Sequence, residues 1–275
     1  MRKSYLFQVL SITAIAGSVF IFMAGCRKNK VEDTGYANDH ATSEQTFNDV
    51  QTISDMAAST SSSTLGYKTT ATTIGGCATV TRTPGKIVID FGTTDCTCHD
   101  GRKRRGQIII TYTGAYTDVG SVHTITFDNF YQNDNKVTGT KTVTNVGPNS
   151  LGQPVFNISI TGSVTLQSTG GTISTQWNRV RTWTAGYNTP NDMTDDVYQI
   201  TGSGSITRAN GKVITETITA PLIVAYSCHW IEAGSITFSV ASGESRILNY
   251  GDTPNCDDIA TITLGNGTVK TITLP

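Results

Sequence analysis

Two indole and two guanidinium side chains occupy every second position along one stretch of the chain, at Trp177, Arg179, Arg181 and Trp183. They share parity, so on a regular β-strand all four lie on one face. Indole rings stack on sugar rings and guanidinium groups bind carboxylates, which makes the row a candidate glycan-binding platform. The alternative is a ladder of Trp and Arg side chains that stack on one another and cover the sheet.

The segment 102–105 contains four consecutive cations between two glycines. Arg102, Arg104 and Arg105 could bind the phosphate or sulfate groups of a lipopolysaccharide or an acidic glycan through charge-assisted hydrogen bonds. In the alternative interpretation the charges occupy a solvated hairpin tip or a strand edge, where they prevent pairing with another sheet.

Two groups of aspartates stand in predicted loops, and clustered carboxylates of this kind can hold calcium. Neither group has the EF-hand spacing, and aspartate is equally common in turns because it hydrogen-bonds the local backbone. The sequence therefore predicts no metal ligand among Asp192, Asp195, Asp196, Asp252, Asp257 and Asp258.

The four histidines are not accompanied by a nucleophile motif, and His123, on a threonine-rich strand, is expected at the surface or at an edge. The sequence contains no Gly-x-Ser-x-Gly elbow, no His-Glu-x-x-His pair and no phosphate-binding loop. We therefore expect no catalytic residue and no cofactor. A pair of carboxylates that meet only in the fold could still cleave a glycosidic bond, so a polysaccharide hydrolase is the alternative.

The first 26 residues have the three regions of a secretory signal. Arg2 and Lys3 precede an apolar run over 5–23, and a Met-Ala-Gly-Cys segment ends at Cys26. Small residues before a cysteine form a lipobox, which predicts that residues 1–25 are removed and that Cys26 receives diacylglycerol. The alternative is a transmembrane anchor, since the run is roughly long enough to cross a bilayer. Because Arg replaces the Asp that commonly follows the cysteine of inner-membrane lipoproteins, we expect an outer-membrane anchor.

Five further cysteines follow the predicted lipidation site. In an oxidising compartment this count indicates disulfides, and the odd number leaves one thiol free or paired between chains. Loop sizes favour Cys77 with Cys96 or Cys98, and Cys228 with Cys256, each bridge contributing about 3 kcal/mol. A zinc site around 96–99 is the alternative, but no second ligand pair has zinc spacing.

The remaining chain divides into a polar tether over 26–42, a helix with a Ser/Thr linker over 43–66, and a single β domain over 67–275. The helix is predicted from Ser43, a suitable N-cap, to about residue 58, because apolar residues recur there at steps of three and four. The formal net charge of −1 and the charged fraction of 15% argue against a nucleic-acid partner.

The β domain is predicted from alternation, as at 156–166, where apolar and hydroxyl side chains take turns. The 47 threonines of the chain suit a solvated pleat, and Gly or Asn clusters such as 210–211 separate the runs as hairpin turns. We expect an all-β domain, an antiparallel meander of about eleven to thirteen strands. It would form a sandwich or an open, barrel-like sheet with the helix packed on it.

Several motifs of the chain resemble a group of uncharacterised envelope lipoproteins of Bacteroidota-type bacteria. The resemblance covers nearly all of the β domain, but the group has no assigned activity, so no functional residue is carried over. The motifs are Cys-Ala-Thr-Val-Thr at 77–81, Ile-Asp-Phe-Gly at 89–92, Cys-x-Cys-x-Asp-Gly-Arg-x-Arg-x-Gly at 96–106, Thr-Phe-Asp-Asn-Phe-Tyr at 126–131, Thr-Lys-Thr-Val-Thr-Asn at 140–145, Asp-Asp-Val-Tyr-x-Ile-Thr-Gly at 195–202 and Cys-x-Trp-Ile at 228–231.

These patterns together predict an outer-membrane lipoprotein whose non-enzymatic β domain binds or supports a polysaccharide or another envelope component. The membrane is its first partner, through the lipid, and whether it faces the periplasm or the cell surface stays open. Besides the hydrolase, a second alternative is a carrier for a lipid or lipoprotein, in which a curved sheet encloses an apolar cavity.

Overall fold

The structure, a computed structural model, describes residues 34–59, 72–189, 192–240 and 244–275. The predicted signal peptide, the lipidation site Cys26 and the Ser/Thr linker lie outside these residues. Residues 34–275 group into one compact unit. Within the described parts of the chain, no helix has both the length and the apolar character needed to span a bilayer.

The described chain forms a single antiparallel sheet of 15 strands, as the period-two pattern predicts. All except β4 follow one another in chain order, while β4 pairs only with β5. The strands are β1 (Thr72–Ile74), β2 (Ala78–Thr83), β3 (Lys86–Asp90), β4 (Cys96–Thr97), β5 (Lys103–Tyr112), β6 (Val122–Gln132), β7 (Asn135–Pro148), β8 (Pro154–Thr165), β9 (Thr172–Ala185), β10 (Val197–Thr207), β11 (Val213–Ala225), β12 (Ala233–Val240), β13 (Ser245–Asn249), β14 (Ile259–Thr263) and β15 (Val269–Thr273).

The sheet is open, because β1 and β15 each have a single neighbouring strand among the described residues. Of the architectures considered, this is the open, barrel-like sheet rather than a sandwich. The strand count exceeds the expected eleven to thirteen because very short strands such as β1 and β4 carry no readable alternation.

The two faces of the sheet differ in chemistry, as β7 illustrates. Val137 and Val143 are buried, whereas Thr138 and Thr140 are exposed. The outer hydroxyls bond across strands, as Thr138 does to Ser163 at 2.8 Å. The outer face is therefore a solvated layer of hydroxyls, and the inner face forms the core.

The helix α1 spans Gly35–Ser59, so it begins eight residues before the predicted start at Ser43. The expectation of a polar tether is wrong for residues 35–42, because these eight residues form about two turns of the helix and bury Tyr36, Ala37 and His40. Its polar composition suggested a tether, but these side chains find partners on the sheet: the guanidinium of Arg246, for example, lies 4.3 Å from the Tyr36 ring centroid.

The helix lies along the inner face of the sheet and contributes to two apolar clusters. Its second half, with Phe47 and Val50, packs into the cluster formed mainly by β2–β9. Its first half, with Tyr36 and Ala41, belongs to the cluster formed by later strands, β10–β14, and the chain segments beside them. The helix therefore joins the two halves of the sheet.

Close approach between helix and sheet depends on Gly162 in β8. A Cβ atom there would lie 2.5 Å from Cζ of Phe47, a distance that side chains do not tolerate. The missing side chain lets the Phe47 ring contact the sheet backbone directly.

Candidate binding cavity

Acidic side chains on every part of the helix pair with cations of the sheet. Asp39 bonds Arg208, and Glu44 lies 3.2 Å from Arg179. The later pairs are Asp49 with Arg104 at 2.7 Å and Asp55 with Arg181 at 2.8 Å. Successive acids are spaced by five or six residues, so at 3.6 residues per turn each points in a different direction from the next. Glu44 and Asp55, eleven residues apart, return to nearly the same direction, and both reach arginines of β9.

The Trp/Arg row on β9 belongs to this buried layer. Its four side chains share one face, as predicted, but the face is the inner one: Trp177 is 1% exposed and Trp183 is 8% exposed. The candidate glycan platform is therefore wrong, since these indole faces do not reach solvent. The structure instead shows the alternative ladder, with the Arg179 guanidinium 4.8 Å from the Trp177 ring centroid and Trp183 stacked on Tyr198.

The most deeply buried group joins His40, Glu44, Arg179 and Glu216. The His40 Nδ1 lies 2.9 Å from a Glu216 oxygen, and Arg179 bonds both carboxylates. Burial alone would raise the pKa of Glu216, but the charges of His40 and Arg179 outweigh that effect and lower it. This group has the donor atoms for a metal ion, but the guanidinium already supplies the positive charge.

A second group surrounds Arg181, which donates to Asp55 and, at 2.9 Å, to the Tyr116 hydroxyl. Nearby, the Lys141 ammonium donates to the Phe47 carbonyl at 2.9 Å. Burial, together with the positive charge of Arg181, lowers the pKa of Lys141 to about 7. Both cations therefore hold the helix rather than an external ligand.

The cationic run at 102–105 is also neutralised within the chain. Arg104 is buried and donates to both Asp49 and Asp100, while Arg102 lies 3.0 Å from Asp49. Burial opposes ionisation of Asp100, but the hydrogen bonds and charge of Arg104 lower its pKa to about 2. On the other face, Arg105 pairs with Asp95 and Asp134. Binding of phosphate or sulfate by free guanidinium groups, one of the two interpretations of this run, is therefore wrong for these three arginines. The other interpretation, a solvated hairpin tip or strand edge, is wrong for Arg104, which is buried.

The aspartate clusters serve local structure. Asp196 is buried and accepts hydrogen bonds from Trp183 at 3.1 Å and from Tyr198 at 3.0 Å. Burial raises the pKa of Asp196 to about 6 despite these bonds. Asp192 and Asp257 accept backbone hydrogen bonds two residues along the chain. In the described parts of the chain, no aspartate belongs to a group with the donor atoms for a metal ion.

The cysteines form two disulfides, Cys77–Cys96 and Cys228–Cys256. The predicted pairings are confirmed, and of the two partners considered for Cys77 it is Cys96 that forms the bridge. Cys98 remains a buried thiol whose pKa is raised by burial. The zinc alternative fails because Cys96 is oxidised.

His123 is buried rather than at the surface. Its ring stacks on Tyr112 with centroids 5.5 Å apart, and its Nε2 lies 3.1 Å from the Gly114 carbonyl. Burial lowers its pKa, so it fills the core as a neutral ring.

One side of the helix is not covered by the sheet. Between residues 41 and 57, the side chains that retain some exposure recur at steps of three or four, which places them on a single helical face. These side chains are Thr42, Gln45, Asn48, Thr52 and Met56.

A cavity of about 370 Å³ opens along this face. Phe91, Cys98 and Arg102 line it from the beginning of the sheet, and Trp230 and Leu274 line it from the end. The cavity thus occupies the gap that the open sheet leaves between its first and last strands. Sequence reasoning missed it because the two walls are far apart in the chain. The one available signal was that three of the motifs noted above, at 89–92, 96–106 and 228–231, supply lining residues.

The lining residues carry polar groups of two kinds. The Arg102 guanidinium bridges Asp49 and Asp100 and lies 3.4 Å from His229 Nδ1. By contrast, the Tyr250 hydroxyl and the Trp230 Nε1 are buried without a hydrogen-bond partner among the described residues. Burial, reinforced by the charges of Glu44 and Glu216, holds the pKa of Tyr250 well above its ordinary value, so its hydroxyl remains a donor.

No protein-family model, no curated protein and no solved structure matches this chain significantly. The function must therefore be argued from the chain's own residues.

Proposed function

We propose that the protein is an outer-membrane-anchored envelope lipoprotein and that its β domain binds a small amphiphilic molecule in the cavity between the two ends of the sheet. The lipobox at Cys26 and the resemblance of the motifs to envelope lipoproteins support the location. The cavity supports the binding of a small amphiphile, and for this reason the lipid carrier is now preferred to the other two functions.

The observation that carries this proposal is the uncovered face of the helix. Between residues 43 and 57 the other side chains of α1 are buried, but the stripe from Gln45 to Met56 faces a space of about 370 Å³. This volume lies in the lower part of the range for small-molecule sites, which are concave and mostly apolar with a few placed polar groups. Met56, Phe91 and Leu274 supply the apolar surface.

The prediction of polysaccharide binding depended on the Trp/Arg row, and that row is buried. Hydrolysis has weaker support than binding, because the carboxylates that line the cavity, those of Glu44, Asp49 and Asp100, are each bonded by an arginine. A glycosidase needs two carboxyl groups that can reach the substrate. Burial raises the pKa of Asp49, but Arg104 and Arg102 occupy its oxygens.

Lipid anchoring is tested by growing cells with a labelled fatty acid and following the label on the protein. We expect the wild-type chain to carry the label in the outer-membrane fraction and Cys26→Ala to carry none. Label on the variant, or a wild-type chain that keeps its first methionine, would refute the anchor.

Ligand binding is tested with the chain from Arg27 onwards, which retains every described residue. We expect the apolar dye N-phenylnaphthylamine to fluoresce on binding in the cavity. Thr52→Phe, which fills the space beside the helix, should abolish the signal, whereas Thr140→Phe on the exposed outer face should leave it unchanged. No signal with the wild-type protein, or equal signals from both variants, would refute the proposal.

A further inference from the structure

We infer that the outer face of the sheet carries a second binding site, which takes a neutral oligosaccharide. The site is a shallow concavity of about 300 Å³ on strands β7, β8 and β9. It lies on the face of the sheet that points away from the helix, so the inference goes beyond the proposed function and does not depend on it.

The concavity is lined by outward-facing side chains that are partly or fully exposed. Cross-strand pairing arranges six of them in two rows of three, one row being Thr144, Asn157 and Val180 and the other Thr142, Ser159 and Asn178. Asn157 and Asn178 are therefore diagonal neighbours on adjacent strands, which places their Cα atoms about 7–8 Å apart. Two side-chain amides thus stand within reach of one small ligand.

These two asparagines have no structural task in the sheet. Asparagine is depleted in β-strands, and the other strand asparagines that the structure describes each form a side-chain hydrogen bond, namely Asn129, Asn135, Asn145 and Asn249. Asn157 and Asn178 are exposed, and their side chains form no hydrogen bond with any described residue. Residues that break a local preference without a structural gain are expected at functional sites.

The chemistry of the lining matches the hydroxyl groups of a sugar. A side-chain amide offers two donor hydrogens and an acceptor oxygen, so it can bond two neighbouring hydroxyls at once. Thr142, Thr144 and Ser159 add hydroxyls that both donate and accept. Val180 is 37% exposed, and its methyl groups offer an apolar contact to the C–H groups of a sugar ring.

The concavity offers no partner to a charged ligand. Among the outward-facing side chains of β7, β8 and β9, only Lys136 at the beginning of β7 is charged, and none is aromatic. Arg179 contributes to the lining, but its side chain is buried on the inner face and bonded to Glu44 and Glu216. A sulfate or uronate group would find no cation here, and a nucleobase would find no ring to stack on.

The test is an array of neutral and acidic oligosaccharides incubated with the labelled chain from Arg27 onwards. We expect the chain to bind neutral glycans. In titrations with a captured glycan, Asn157→Ala and Asn178→Ala should each weaken binding about three- to tenfold, the worth of one neutral hydrogen bond. Thr217→Ala, on the exposed outer face of β11, should bind like the wild type and serves as the control.

Three results would overturn the inference: no binding to any neutral glycan, binding to acidic glycans alone, or unchanged binding in both asparagine variants. The proposed function is tested separately, because the dye reports on the cavity beside the helix and the glycan on the opposite face.

A double variant separates ligand binding from a structural role. Asn157→Thr with Asn178→Thr replaces both amides by a residue that β-strands favour. We expect glycan binding to weaken at least about tenfold, since two hydrogen-bonding groups are lost, while the temperature of thermal unfolding stays equal to that of the wild type or rises. A double variant that unfolds at a lower temperature would assign the asparagines a structural role and would also overturn the inference.

Discussion

The two sides of helix α1 meet different surroundings. Toward the sheet, the helix is held by buried ion pairs such as Asp55–Arg181 and Glu44–Arg179. Toward the gap, partly exposed side chains from Gln45 to Met56 border a cavity of about 370 Å³. The difference indicates that one side serves to hold the fold together and the other is left available for a ligand.

The largest expected effect comes from breaking one pair on the sheet side. Asp55→Leu should lower the free energy of unfolding by about 3–5 kcal/mol, because it leaves Arg181 charged and buried without its carboxylate. Denaturant titration followed by circular dichroism measures the loss. The double variant Asp55→Leu with Arg181→Leu should recover much of it; a double variant no more stable than the single one would contradict this account.

Next in size is the disulfide beside the cavity. Replacing both Cys228 and Cys256 by Ala should cost about 3 kcal/mol of unfolding free energy, since the bridge restrains the unfolded chain. The control is Cys98→Ala, which removes a buried thiol without a bridge and should cost about 1 kcal/mol. Equal losses in the two proteins, measured by denaturation, would show that the bridge contributes little.

A smaller effect depends on pH and on Lys141. Its folded-state pKa of about 7 lies below the ordinary 10.5, so as the pH rises the folded protein loses this proton before the unfolded protein does. The stability that Lys141 contributes is lost as pH falls through 7 and gained as pH rises toward 10, by up to about 1.4 kcal/mol per pH unit. Between pH 7 and 9, Lys141→Met should remove this rise in unfolding free energy, whereas Lys136→Met should keep it. Identical pH profiles for the wild type and Lys141→Met would contradict the expectation.

The smallest effect on stability is expected on the gap side. Tyr250→Phe removes an unpaired hydroxyl, so the unfolding free energy should change by less than about 0.5 kcal/mol. Thermal unfolding checks this value. A loss as large as that of Asp55→Leu would mean that the hydroxyl has a structural partner, and the contrast between the two sides would disappear.

Period-two alternation was enough to predict the sheet, because each strand's pattern is local. The same pattern correctly placed Trp177, Arg179, Arg181 and Trp183 on one face but could not say which face. That depends on a helix more than 100 residues away, whose carboxylates make buried arginines tolerable, as the Asp55–Arg181 bond across 126 positions shows. The prediction of a tether over residues 35–42 failed for the same reason. The polar composition suggested that His40 lies in solvent, but its partner Glu216, 176 positions later in the chain, allows it to be buried.

The cavity was beyond sequence reasoning for a related reason. Arg102 and His229 are 127 positions apart and meet only because the sheet curves until its ends approach. Periodicity indicates alternation along a strand, but it carries no information on how strongly successive strands coil.

The position of the helix also determines the order in which the parts of the fold can form. Each strand of the meander except β4 lies beside its predecessor in the sheet, so the sheet can form in order from its N-terminal end. The first turns of α1, however, rest on Glu216 and on the later apolar cluster. The described residues nearest the N-terminus are therefore among the last to reach their final contacts, and until β11 is in place only the second half of the acidic helix can dock.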